Sequence, residues 1–227
     1  MLADGTFRSN IFSDNGDVVD PMNVIASSNT VVDTDWHHFL ITFEAGDLTI
    51  FLDGVRDPAQ TTYYNHGLGS KIETSTSLFS RTSISLDKFR IGTGFRYCGT
   101  DGYVEQFDGA MDDVRIYDGA LSDQEVEALF EQTRPSSPPS DGLLLHYTFD
   151  SDEGGFVTDL SGNGYTGNVH GATWTAGTSS NGLYAFDGQN DFLSTPDAPG
   201  LDTPFMSVSC WFNANVLPSS GSEANLL

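Results

Sequence analysis

The chain has 227 residues, of which 38% are apolar and 12% aromatic, enough for one or two globular domains with a hydrophobic core. Nine Lys and Arg residues face 32 Asp and Glu residues, giving a formal net charge of −23. So negative a surface repels nucleic-acid phosphates, and no run of 18 apolar residues predicts a membrane span. We therefore expect neither nucleic-acid binding nor membrane insertion. Cations should accompany the protein, as counterions in a halophilic or marine setting, as bound calcium, or as both.

The first third of the chain reads as strands joined by tight turns. Residues 2–32 contain apolar runs on either side of an Asp-Asn-Gly turn, a pattern typical of a hairpin. Residues 36–43 and 48–52 alternate between apolar and polar side chains, and Asp53-Gly54 then forms another turn. His37 and His38 are neighbours on one predicted strand, so they face opposite sides of it. We expect packed histidines there and not a metal-binding pair.

Residues 60–86 form a long segment rich in Thr and Ser, which predicts either a functional loop or extra strands. Aromatic side chains in this region and beyond it are candidates for stacking on sugar rings. The candidate ligand-binding residues are Tyr63, Tyr64, His66, Tyr97 and Tyr103. The alternative is that these side chains cover the core beneath long loops.

The segment from Met111 to Tyr117 predicts a strand near the end of a domain. Strict alternation would place Asp112 on one face with Val114 and Ile116, and Asp113 on the other face with Met111, Arg115 and Tyr117. A carboxylate on an apolar face is costly unless it is paired or bound to a metal ion. Asp112 is therefore a candidate metal ligand, and Arg115 is the expected surface partner of Asp113.

A short helix is predicted after this strand. Ser122 is a candidate N-cap, with Glu125 three residues later to complete a capping box. Leu121 and Val126 occupy the positions of a hydrophobic staple, and the helix should end before Pro135.

Residues 107–130, FDGAMDDVRIYDGALSDQEVEALF, resemble the closing motif of laminin G-like jelly rolls, which belong to the concanavalin A-like lectin/glucanase fold. Two upstream pieces resemble the same family in the family's order: DTDWHHFLITFEAGDLTIFLDGVRD at 33–57 and KFRIGTG at 88–94. The resemblance implies an all-β fold, an antiparallel concanavalin A-like jelly-roll sandwich with one short helix after the closing strand.

The remainder of the chain resembles the beginning of the same family. DGLLLHYTFDSDEGGFVTDLSGNGYTGNVHGATW at 141–174 resembles its opening, and LYAFDGQNDFLSTPDAPGLDTPFMSVSCWFNAN at 183–215 resembles its next strands. Residues 1–133 then look like the second half of a domain, 134–141 like a Pro/Ser linker and 142–227 like the first half. The halves would close within one chain as a permutant or be completed by a neighbouring copy. Whether Cys98 and Cys210 form a disulfide stays open, because two cysteines alone do not show the spacing pattern of a disulfide-bonded fold.

The turn FDGQNDF, residues 186–192, is a candidate calcium site. Calcium prefers six to eight oxygen ligands, and Asp187, Asn190 and Asp191 supply several within one short turn. The alternative is a plain hairpin turn, since these residue types also favour turns. Related domains often hold a calcium ion near strands with such motifs, which supports this turn and Asp112 as metal sites.

Catalysis is not expected. The chain has no HExxH, GxSxG or P-loop motif, and it lacks the E-x-D-x-x-E strand motif of the fold's glycosidases. The resemblance implies a secreted, non-catalytic module at the cell surface or outside the cell, for adhesion or glycan recognition with calcium. The alternative is a structural repeat of an extracellular filament or stalk, assembled by pairing half-domains between copies. A module attached to an enzyme is a third possibility.

Overall fold

The structure is a computed structural model that describes residues 6–11, 22–44, 47–58, 61–65, 70–73, 89–95, 103–104, 106–131, 142–177, 181–196, 199–201, 203, 205–217 and 226. Its strands up to the α-helix are β1 Thr6–Ile11, β2 Met22–Thr30, β3 His37–Glu44, β4 Asp47–Leu52, β5 Val55–Arg56, β6 Thr61–Asn65, β7 Ser70–Glu73, β8 Arg90–Ile91, β9 Gly94–Phe95, β10 Tyr103–Val104 and β11 Asp108–Tyr117. The helix is α1 Asp123–Glu131. The later strands are β12 Leu143–Tyr147, β13 Phe156–Val157, β14 Gly167–His170, β15 Thr173–Ala176, β16 Gly182–Asp187, β17 Phe192–Ser194 and β18 Phe205–Ala214, with a 3₁₀ turn at Pro199–Leu201.

An eight-stranded antiparallel sheet contains most of the long strands. Its order is β15-β16-β11-β18-β3-β4-β5, and β12 pairs with β11 beside β16. The first half of β11 pairs with β16 and its second half with β12, while β18 runs along its other edge. The part of the chain before residues 134–141 and the part after them therefore both contribute strands to this sheet, and their strands interleave at β16, β11, β18 and β3. The division of the chain into two reversed half-domains remains a prediction.

A β-bulge interrupts β11 at Asp112 and Asp113. The pairing of β11 with β18 shifts register between Asp112 and Arg115, and Asp113 adopts a left-handed conformation with φ of 51°. Met111, Val114 and Ile116 consequently all lie in the main core. The expectation that Asp112 shares a face with Val114 and Ile116 is wrong, because strict alternation fails where a residue is inserted into the strand.

A second, four-stranded sheet packs against the large one. Its order is β13-β14-β17-β8, and its buried Val157, Leu193 and Ile91 belong to the same core as Met111 and Phe212 of the large sheet. Two antiparallel sheets enclosing one apolar core make an all-β sandwich, as expected. Cys210 is a free thiol that is fully buried in this core.

The helix α1 covers the opposite face of the large sheet. Val126 and Leu129 are buried there against Leu40, Phe51 and Tyr117. The predicted capping box is present, since Ser122 N–H donates to Glu125 Oε2 at 2.8 Å and Ser122 Oγ accepts from Glu125 N–H at 3.4 Å. The helix begins directly after the predicted N-cap, where the capping box satisfies the first amides, and its last described residue, Glu131, lies before Pro135.

The segment of residues 60–86 contains strands, which is one of its two predicted forms. Its strands β6 and β7 extend the β1–β2 hairpin into a sheet of order β1-β2-β6-β7. Strands β9 and β10 form a separate short pair. The turn at Asp53 and Gly54 has φ of 52° and 77°, as a two-residue hairpin loop requires.

Replacing the helix N-cap should destabilise the whole fold. In Ser122→Ala the amide of Glu125 loses its acceptor, and we expect a loss of about 0.5–2 kcal/mol of the free energy of unfolding. Urea denaturation measures it, with Gln124→Ala, an exposed change on the same helix, as the control. Equal midpoints for the two variants would contradict a stabilising cap.

Candidate functional site

The turn that follows β16 brings acidic side chains together with a neighbouring strand. Asp187 ends β16 and lies directly opposite Asp108 of β11, which places their Cβ atoms about 5 Å apart. Asn215 donates from Nδ2 to Asp108 Oδ1 at 2.9 Å. The run of Asp and Asn residues in 186–192 made Asp187 a candidate calcium ligand. Asp108 was missed because its position depends on strand register.

Internal hydrogen bonds already satisfy much of this turn. Gln189 donates its backbone N–H to Asp187 Oδ1 at 2.9 Å and its side-chain amide to Oδ2 at 3.2 Å. Asp191 is buried, and its Oδ2 accepts from the backbone N–H of Asp187 at 2.9 Å. Burial raises the pKa of Asp191, and the charge of Asp187 adds to the rise. Asn190 is exposed at the tip. These contacts are those of a tight hairpin turn.

Gly171 is required beside Asp191. A Cβ atom at Gly171 would stand 2.1 Å from Asp191 Oδ1, and its φ of 79° is unfavourable for other residues. The buried carboxylate therefore lies directly against the backbone of the loop between β14 and β15.

Asp112 lies in a different part of the sheet. It is four residues further along β11 than Asp108, or about 13 Å away at the usual rise of a strand. Its cross-strand partner is Trp211, on the face that carries α1. Burial, followed by the charge of Asp113, raises the pKa of Asp112 to about 7. One calcium ion cannot bind Asp112 together with Asp187, Asn190 and Asp191, so these residues would form two sites.

The donor set fits a calcium ion in part. Asp108 and Asp187 carry two opposed carboxylates, and the side-chain amide of Asn215 lies beside Asp108. Carboxylate and amide oxygens are the ligands that calcium prefers. Among the described residues, however, no three His, Cys, Asp or Glu side chains form a group that could hold a metal ion. Backbone carbonyls or water would have to complete the coordination, and calcium remains a prediction.

The predicted sugar-stacking residues are only partly within the described residues. Tyr63 and Tyr64 lie in β6, where they pair with Ile72 and Lys71 of β7, and Tyr103 lies in β10. Tyr63 and Tyr64 therefore lie in the extra strands that were one of the two forms predicted for residues 60–86, and Tyr103 also lies in a strand. His66 and Tyr97 lie outside the described residues.

The bulge on β11 carries a polar network that sequence reasoning found only in part. Asp113 Oδ2 accepts from Arg115 at 2.9 Å, so the predicted pair is present, but Arg115 is buried and the pair does not lie on the surface as expected. His146 Nε2 is 2.8 Å from Asp113 Oδ1 and 3.1 Å from Arg115 Nε. The backbone N–H of His146 in turn donates to the buried Asp159 at 2.9 Å. Each carboxylate has donors arranged around it, so both act as structural acceptors.

The two adjacent histidines have opposite environments. His37 lies between Asp33 and Asp53, at 2.9 Å from each, and although burial lowers its pKa, these two carboxylates raise it more. His38 is 2% exposed and packs 5.2 Å from the ring of Trp211. Burial lowers the pKa of His38 to about 4. They are packed histidines, as expected.

The comparisons identify the family. A laminin G-like model of the concanavalin A-like lectin/glucanases superfamily matches residues 2–127. The chain belongs to this family. No curated protein and no solved structure matches this chain. Laminin G-like domains are typically non-enzymatic, extracellular binding modules that commonly bind glycans or cell-surface partners. Within the described residues no helix is long and apolar enough to span a membrane.

Acid should destabilise the laminin G-like fold through His38. Its folded pKa lies below the unfolded value, so stability is lost as the pH falls from about 6.5 to about 4, by on the order of 3 kcal/mol. His38→Phe keeps an aromatic ring beside Trp211 but cannot be protonated. Melting temperatures from pH 4 to pH 8 should show a flatter acid limb for this variant than for the unaltered chain.

The exposed His170 supplies the matched control for this measurement. His170→Gln should keep the acid limb of the unaltered chain. Parallel curves for His38→Phe and the unaltered chain would remove His38 as a cause of acid sensitivity.

Proposed function

We propose that this chain is a non-catalytic laminin G-like module that works outside the cell or at its surface and recognises a glycan or a cell-surface partner. The observation that carries the proposal is family membership over residues 2–127, together with a sandwich of two antiparallel sheets. The network at Asp113 supports a non-catalytic role. Its carboxylate, guanidinium and imidazole bind one another, as groups that hold a strand in place do.

Calcium belongs to this proposal at the turn after β16. The opposed carboxylates of Asp108 and Asp187 repel each other at an interstrand distance, and a divalent cation would relieve that repulsion. Asn190 and Asp191 lie in the same turn, although Asp191 already accepts a backbone hydrogen bond. A net charge of −23 further favours a bound cation. Asp112 would be a separate site.

A glycan array with and without a chelator tests both parts of the proposal. We expect recognition of at least one glycan class, lost in chelator and restored by calcium. Chelation should also lower the melting temperature, because an ion that binds the native state stabilises it. Asp187→Asn should reduce that shift, whereas Asp118→Asn, an exposed change near α1, should not. A melting temperature that ignores chelator at low salt would eliminate calcium but leave glycan recognition standing.

A second candidate is a filament subunit, which would require a neighbouring copy to supply strands that in this structure come from one chain. Strand β11 lies between β16 and β18, so the sheet needs strands from both sides of residues 134–141. If a neighbouring copy supplied those strands, the exchange would be heterologous and could propagate.

Light scattering on the isolated chain separates closure within one chain from assembly. A module that closes on itself should remain a monomer at every concentration. A filament subunit should form larger species as the concentration rises. A constant monomer mass up to millimolar concentration would exclude the filament.

A further inference from the structure

The loop between β2 and β3, residues 31–36, is held to the sandwich mainly by polar contacts. Its last five residues are all exposed, including the large apolar side chains of Val32 and Trp36 at 72% and 41%. Asn213 of β18 donates from its side-chain amide to the carbonyl oxygen of Thr34. A segment that buries so little apolar surface is held only as firmly as its hydrogen bonds.

His37 connects this loop to the turn between β4 and β5. Its Nε2 is 2.9 Å from Oδ1 of Asp33 in the loop, and its Nδ1 is 2.9 Å from Oδ2 of Asp53 in the turn. Asp33 Oδ1 also accepts from the backbone N–H of Asp35 at 3.0 Å. Asp53 Oδ1 accepts from the backbone N–H of His38 at 2.9 Å. One imidazole ring therefore joins two carboxylates that each organise a separate segment of backbone.

The two contacts of His37 require two ring protons. An ionised carboxylate only accepts hydrogen bonds, and a neutral imidazole carries a proton on only one of its nitrogens. A neutral ring would therefore direct a lone pair at one of the two carboxylates. The side chain of His37 is only 14% exposed. Burial lowers its pKa, but the hydrogen bonds and charges of Asp53 and Asp33 raise it more, as the geometry of an imidazolium ion requires.

The charged groups that face His37 all have the same sign. Within the described residues they are Asp33 from the β2–β3 loop and Asp53 from the β4–β5 turn. Strand β18 contributes the uncharged ring of Phe212, with 5.8 Å between the ring centroids. The neighbouring His38 is neutral near pH 7, because burial lowers its pKa to about 4. Loss of one proton from His37 therefore leaves two carboxylates that share a single donor.

The exposure of the two carboxylates determines which contact breaks. The side chain of Asp53 is 36% exposed and that of Asp33 is 52% exposed. A polar group that loses its partner is less costly where water can replace that partner. The remaining ring proton should therefore stay with Asp53. The contact to Asp33, and with it the attachment of the loop, is the one that is lost.

We propose that His37 is a proton-dependent latch, which as an imidazolium ties the β2–β3 loop to the β4–β5 turn and as a neutral ring releases it. A group that holds its proton more tightly in the folded state contributes stability below its unfolded pKa. For histidine that value is about 6.5, and the contribution is lost as the pH rises through the folded pKa. The loop is therefore closed in acid and released at higher pH. This inference does not depend on glycan recognition.

The ring nitrogens of His37 report the latch directly in the unaltered chain. Long-range ¹H–¹⁵N NMR spectra distinguish an imidazolium, whose two nitrogens both carry protons, from a neutral ring, in which one does. In the folded chain His37 should keep both protons to a higher pH than the histidines of the same chain in urea. A neutral His37 ring in the folded chain at about pH 6, below the usual histidine pKa, would overturn the proposal.

Amide hydrogen exchange tests the release of the loop. The amide of Asp35, which donates to Asp33, should lose protection between about pH 6 and about pH 9, after correction for the intrinsic exchange rate. The matched control is the amide of Gly154, which donates to Asp152 at 3.0 Å across the same two-residue spacing. Its protection should stay constant. Equal losses at both amides would indicate general loosening and overturn the latch.

Three variants test the contacts themselves. His37→Gln cannot be protonated, so the protection of the Asp35 amide should no longer depend on pH. Asp33→Asn keeps an oxygen acceptor but removes a charge, so His37 should lose its second proton at a lower pH. Asp35→Asn makes the same charge change in the same loop, at a side chain without a contact to His37, and should shift that pH much less. Equal shifts from the two asparagine variants would assign the effect to the field of the loop and overturn the contact.

These readouts are local because a second group titrates nearby in pH. Burial raises the pKa of Asp112 to about 7, and its ionisation lowers stability as the pH rises to that value. A melting temperature would therefore combine Asp112 with His37, whereas the ring nitrogens and the Asp35 amide do not. If His37→Gln fails to fold, the nitrogen signals of the unaltered chain and of Asp33→Asn still decide between the two outcomes.

Discussion

The architecture depends on the bulge at Asp112 and Asp113 in β11. On one edge of β11 the partner changes at this point from β16 to β12, while β18 continues along the other edge. The extra residue, with Asp113 in a left-handed conformation, keeps Met111, Val114 and Ile116 in the core on both sides of the change. Without it, one half of the strand would direct its apolar side chains to the wrong face. The bulge therefore joins three neighbouring strands to one continuous core.

The bulge places two adjacent carboxylates near one another, and the surroundings compensate for only one of them. Asp113 has both Arg115 and His146 within 3 Å. Asp112 keeps a bond from the backbone N–H of Asp113 at 2.8 Å, but burial and the neighbouring charge disfavour its ionised form. Trp211 is the cross-strand neighbour of Asp112, and its ring stacks on Phe130 of α1, so this face of the strand is covered in part. The register shift of the central strand therefore coincides with this acidic pair.

The sequence alone was enough to predict the elements that contacts between neighbouring residues determine. The helix could be predicted because Ser122 and Glu125 satisfy each other's amides, and the turn at Asp53 because its neighbour Gly54 accepts a positive φ. The family was identified from motifs, and the comparison confirms it over residues 2–127. The bulge could not be predicted, since Asp112 looks the same in a regular strand. Asp108 was missed because its place beside Asp187 depends on which strands pair.

The acidic composition has a structural explanation within the described part of the chain. Many carboxylates accept hydrogen bonds from backbone N–H groups at turns and helix ends. They are Asp33, Asp53, Asp112, Asp152, Asp159, Asp187, Asp191 and Glu125. Asp159 alone accepts from the amides of His146, Ser161 and Tyr165.

Each such hydrogen bond favours the anionic form of its carboxylate, although burial outweighs it at Asp112 and Asp191, whose pKa values are raised. The protein therefore needs fewer counterions than its net charge of −23 implies. Some of the carboxylates already compensate the partial positive charge of backbone amides. Cations are needed most where two carboxylates face each other, as Asp108 and Asp187 do across adjacent strands. At these eight of the 32 Asp and Glu residues, side-chain oxygens satisfy backbone amides of the fold. Salt in the surroundings screens the other carboxylates, those that are exposed and accept no amide hydrogen bond.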